Sequence, residues 1–83
     1  GLINKCVSLN QLENETLRFA KLIASKPKST VKIGKEAFYK QAELPIEKAY
    51  EYTSQVMAKN MLEKDAKEGI EAFLNKREPI WES

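Results

Sequence analysis

Asp65-Ala-Lys-Glu-Gly-Ile-Glu-Ala-Phe-Leu-Asn-Lys-Arg-Glu-Pro-Ile-Trp81 reads as one short helix with both ends marked. Asp65 can cap it by accepting a backbone N–H, and Glu68 holds the reciprocal capping-box position. Ile70, Phe73 and Leu74 form an apolar stripe at helical spacing. Lys76 and Arg77 fall in the last turn, where positive charge suits the helix dipole. Pro79 stops the helix, and Trp81 is a large apolar anchor beyond the stop. A tail punctuated in this way is built to dock onto something.

Upstream, the same signals place three more helices after a short extended lead-in, Leu2 to Val7. Ser8-x-x-Gln11 is a capping box that starts the first helix at about Leu9. Its stripe is Leu12, Thr16, Leu17, Phe19, Ala20, Ile23 and Ala24, and it ends before Pro27. Ser29 or Thr30 caps a second helix that runs to about Ala42. Gly34 within it costs ~1 kcal/mol relative to alanine, which favours close approach of another backbone over idle slack. Pro45 opens a third helix, to about Leu62. Ile46, Ala49, Tyr50, Thr53, Val56, Met57, Asn60 and Met61 give it the strongest periodicity in the chain, over an arc wider than one contact needs. The fourth helix runs from Ala66 to about Asn75. The expected fold is all-α, with the helices arranged as two pairs, first with second and third with fourth.

Eighty-three residues allow one small domain, residues 1–83. A chain of that size buries only roughly 60% of its unfolded surface and is marginally stable alone. Cys6 is the only cysteine, so no internal disulfide is available. That points to a reducing compartment or simply to no disulfide requirement, with Cys6 expected as a buried structural thiol. No apolar run approaches the ~20 residues of a membrane span. No signal or transit pattern is visible at the N-terminus, which for a piece of a longer chain says nothing of the parent's address. The net charge of +2 excludes a polyanion-binding tail.

No catalytic constellation is present. Histidine is absent, so the serines lack the commonest general base. Glu68 and Glu71 are too few ligands for a metal and suit capping and solvation better. Lys21, Lys28, Lys32, Lys35 and Lys40 read as a solvated face, because Tyr39, Tyr50 and Tyr52 do not interleave with them as nucleic-acid binding requires. Phe73 reads as core or interface and Trp81 as an interface anchor. Lys76 and Arg77, on physics alone, complement the helix dipole.

The ordered pattern Asp65-x-x-Glu68-Gly69-Ile70-x-Ala72-Phe73-x-x-Lys76-Arg77-x-Pro79-x-Trp81 resembles the C-terminal signature of the crotonase superfamily, the enoyl-CoA hydratases and isomerases. Gly1-Leu2-Ile3-Asn4 is similar to the segment that opens that family's C-terminal helical region. The resemblance implies a helical lobe that covers an acyl-CoA pocket and takes part in trimer or hexamer contacts. It implies an upstream β-rich half that carries the catalytic acids and the oxyanion turns, so this chain alone is expected to be inactive. It implies that Lys76 reaches the phosphates of coenzyme A. Where the family often sets an aromatic residue against the adenine, this chain has Met57, whose polarizable sulfur can serve. A mitochondrial address is compatible with the resemblance. Neither nucleic acid nor a membrane is an expected partner. The alternative class is an independent helical interaction module that offers the third helix to an amphipathic partner.

Overall fold

The computed structural model describes residues 1–83. A 3₁₀ turn, Leu9–Gln11, leads into α1 (Leu12–Ala24), followed by α2 (Lys28–Ala42), α3 (Ile46–Asn60) and α4 (Lys64–Leu74). No strand forms, and residues 1–8 lead in without helix. The all-α expectation of four helices after a lead-in therefore holds.

The helix breaks follow the prolines. Pro27 stands before α2 and Pro45 before α3, each with extended ψ (127° and 151°) and each as the capping residue. Proline suits these places because a helix does not need that N–H and the residue before a proline avoids the α region. α3 ends two residues earlier than its stripe suggests, because Met61 and Leu62 turn out of it.

The side-chain caps differ from expectation. The Ser8 hydroxyl bonds Asn10 Oδ1 at 2.6 Å, and Ser8 starts the 3₁₀ turn through its carbonyl, which accepts from Gln11 N–H at 3.0 Å. Neither Ser29 nor Thr30 caps α2, which begins at Lys28, ahead of both. Two threonines counted within apolar stripes bond their own helices: Thr16 to Leu12 O and Thr53 to Ala49 O, both at 2.8 Å. Such back-bonding satisfies the hydroxyl within its own helix.

The pairing also differs from expectation. The long contact is between α2 and α3, which the expected pairing separates; no other pair of helices makes a comparable contact. Ile33 from α2 faces Tyr52 and Val56 from α3 across this seam. Lys40 Nζ lies 5.9 Å from the Tyr52 ring centroid, a cation–π contact between the helices. A stripe reports that a face is apolar and not which neighbour covers it.

The result is a slab of 45 × 38 × 19 Å with a radius of gyration of 16.3 Å. A compact chain of this length has a radius of about 12 Å. Only Pro27, Asp65 and Ala72 are buried. The accessible surface is 7529 Å², against about 5,000 Å² for a compact protein of this mass. Along α3 the apolar arc divides. Ala49, Thr53, Val56 and Asn60 are half-buried, while Ile46, Tyr50, Met57 and Met61 are exposed. Gly34 has nothing within 4 Å of where a Cβ would stand, so the close approach expected there is not made within this chain. Cys6 is exposed rather than buried, because the lead-in packs under no other element.

Candidate functional site: the α4 turn and its tail

Asp65 and Glu68 do not form a capping box on α4. The residue before the helix is Glu63, and no side chain caps it. Both carboxylates instead hold the chain that follows the helix. Asp65 accepts from Glu82 N–H at 2.7 Å, Ser83 N–H at 3.2 Å and the Ser83 hydroxyl. Glu68 accepts from both terminal nitrogens of Arg77, the second at 3.3 Å, and from Ile80 N–H at 3.1 Å. Both face donors already fixed in place, and both titrate below the usual carboxylate range. For Asp65 the Ser83 hydroxyl is the main cause and Glu82 N–H the next. For Glu68 it is the Arg77 guanidinium, then Ile80 N–H. The same pairing raises Arg77.

The tail then staples the end of α1 and the start of α2. Trp81 Nε1–H donates to Ser25 O at 3.0 Å, where α1 ends. Its ring lies 3.4 Å from the Cβ position of Gly69, so the glycine gives it a flat seat on α4. The Ser83 hydroxyl accepts from Ser29 N–H at 3.3 Å, in the first turn of α2. An orphan donor at a helix start is thus met by a residue far along the chain rather than by a local cap. Trp81, expected as an anchor, is half-buried inside this chain.

Between the helix and this tail sits Lys76. Its φ is 52°, the only positive value at a non-glycine residue. Lys76 N–H donates to Phe73 O at 3.2 Å and Arg77 N–H to Ala72 O at 3.0 Å. This is the Schellman pattern, with lysine where glycine is usual. The left-handed turn costs an L-residue roughly 1–2 kcal/mol. Lys76 is exposed and its ammonium enters no ion pair. Arg77, by contrast, is committed to Glu68. Of the two tail cations, Lys76 alone is free for an external anion.

Beside this turn an open trough of about 400 Å³ runs between α3 and α4, lined by Met61, Ile70, Phe73, Leu74, Trp81 and Pro27 among others. Phe73 is 82% exposed, so it belongs to no core of this chain. Met57, on α3, is 62% exposed, one turn before Met61 at the end of that helix. Met57, on α3, and Lys76, at the turn after α4, both lie outside the trough lining. The clamp of Asp65 and Glu68 on the tail was not read from the sequence; Pro79 and Trp81 marked a docking tail but not its receptor.

The sequence profile of the enoyl-CoA hydratase/isomerase family matches residues 1–83, the whole chain. The chain belongs to that family. It is 51% identical over 81 residues to enoyl-CoA hydratase domain-containing protein 3, mitochondrial, of Mus musculus, covering 98% of this chain and 27% of that protein. The crystal structure of the human enoyl coenzyme A hydratase domain-containing protein 3 superimposes with a TM-score of 0.92 at 46% identity, over 98% of this chain and 32% of that one. An enoyl-CoA hydratase of Mycobacterium smegmatis gives a TM-score of 0.91 at 41% identity, over 100% of this chain and 32% of that one. This enoyl-CoA hydratase/isomerase chain therefore spans about a third or less of its relatives' length. The fold it shares with them is that of their C-terminal part.

Proposed function

We propose that residues 1–83 are the C-terminal helical lobe of an enoyl-CoA hydratase/isomerase-like protein, which covers the acyl-CoA pocket and supports assembly of subunits. The observation that carries this reading is the uncovered apolar slab. Its surface exceeds that of a compact protein by about 2,500 Å². A standard interface uses roughly 800 Å² per partner. An excess this large suits a permanent cover better than a transient contact. The partners are an upstream β-rich half and neighbouring subunits, against which Phe73, Met57 and the exposed face of α3 would lie.

Coenzyme A thioester is the ligand. Lys76, unpaired and held out by the turn, supplies a compact positive charge for a phosphate. Met57 offers its thioether to the flat adenine. The chemistry, addition of water to or isomerisation of an unsaturated acyl thioester, belongs to the upstream half, where backbone N–H groups would stabilise the enolate oxygen. The protein is mitochondrial on this reading, as its mouse and human relatives are by name.

Titration of coenzyme A into the full-length protein tests the site. Lys76→Ala is expected to weaken binding about tenfold, the value of one charge-assisted contact. Unchanged affinity would remove Lys76 from the site. The 83-residue chain alone is expected not to turn over a crotonyl thioester, and measured turnover by it would refute the lobe reading.

A further inference from the structure

The left-handed turn at Lys76 is bracketed by one side chain. Glu68 lies within α4, before the turn, while Arg77 and Ile80 lie after it. One Glu68 oxygen accepts from Arg77 and from Ile80 N–H, and the other accepts from the second Arg77 nitrogen. The chain must therefore reverse between the end of α4 and Arg77 for these bonds to form. The backbone bonds from Lys76 and Arg77 to Phe73 and Ala72 close the turn from inside. Glu68 closes it from outside, and a two-pronged guanidinium–carboxylate pair fixes orientation as well as distance.

We infer that Glu68 is a positioning residue: by gripping Arg77 and Ile80 it holds the strained turn from which Lys76 meets the phosphate of the acyl-CoA. The inference rests on the reading above that Lys76 contacts coenzyme A. Charge and position make opposite claims here. Glu68 is an anion near a phosphate site, and it occupies the guanidinium of Arg77. If only its charge mattered, Glu68→Gln would free a cation, remove a repulsion and tighten binding. If it positions Lys76, the same change loosens the turn and weakens binding.

The experiment is a double-mutant cycle in the full-length protein, with coenzyme A titrated by calorimetry into wild type, Glu68→Gln, Lys76→Ala and the double variant. Glu68→Gln is expected to bind about threefold more weakly than wild type, a typical coupling between neighbours. The double variant is expected to bind no more weakly than Lys76→Ala alone. A merely structural role for Glu68 would weaken binding by the same factor with or without Lys76, and that result overturns the inference. So does binding by Glu68→Gln at or above wild-type affinity. Unchanged affinity in Lys76→Ala overturns the underlying reading instead, so the two failures are distinct. If Glu68→Gln does not fold, Arg77→Lys keeps the charge and removes the second prong. It is expected to weaken binding in the same Lys76-dependent way, and wild-type affinity there would overturn the inference.

Discussion

Lys76 occupies a backbone conformation at which glycine would meet no penalty. That contrast yields a prediction with two signs. Lys76→Gly should raise the stability of the full-length protein by about 1 kcal/mol, read as a higher midpoint of denaturant unfolding. The same variant should lose affinity for coenzyme A. A loss of both would mean that the lysine side chain supports the fold. Gly34 presents the reverse case. Nothing lies within 4 Å of its Cβ position, so in the isolated chain Gly34→Ala should add helix content by far-UV circular dichroism, with a gain of ~1 kcal/mol. If the same change destabilises the full-length protein, the backbone that approaches Gly34 belongs to the upstream half or a neighbouring subunit. Spacing marked Lys76 and Arg77 together as cations near a helix end. It could not separate them, because the Arg77 partner is set by a turn whose hand no spacing rule reports; only the resemblance singled out Lys76.

At the scale of elements, helix existence was legible and helix capping was not. Pro27 and Pro45 punctuate the chain through a missing N–H and a restricted φ, which are local properties, whereas α4 ends at Leu74, ahead of Pro79, by the turn at Lys76. A carboxylate near a helix start is a local signal too, but it is open to competition. Asp65 and Glu68 are taken by Glu82, Ser83, Arg77 and Ile80, all brought back by the turn. The clamp should respond to acid. Both carboxylates titrate lower in the fold than when free. Their contribution is thus complete above the ordinary carboxylate range and is lost as pH falls through their lowered values. Trp81 is the only tryptophan and sits on the clamped tail, so its fluorescence reports release. Emission should move toward that of solvated indole as pH falls through this range, and Asp65→Asn should show much of the change already at neutral pH. Emission that is constant down to about pH 2 would mean that the tail is held by other contacts.

At the scale of the molecule, the wide arc on α3 was visible in its periodicity, and the structure divides that arc between α2 and open space. The pairing of α2 with α3 was not visible, since apolar stripes on consecutive helices fit several arrangements. The candidate site was legible in part. The resemblance singled out Lys76 and Met57, whereas the free ammonium and the strained turn required coordinates. With few residues buried, the slab has little to hold it together by itself. The isolated chain is accordingly expected to self-associate or to pack loosely, because exposed apolar surface of this extent drives both. Sedimentation of a sharply monomeric species that binds no hydrophobic dye would oppose this.

The covering role is tested most directly by amide hydrogen exchange, measured on the isolated chain and on the same residues within the full-length protein. Backbone groups of α3 and α4, from Tyr50 to Asn60 and from Ile70 to Leu74, should exchange rapidly in the isolated chain and be strongly protected in the full-length protein. Equal protection in both would show that these helices need no partner, and would contradict the account.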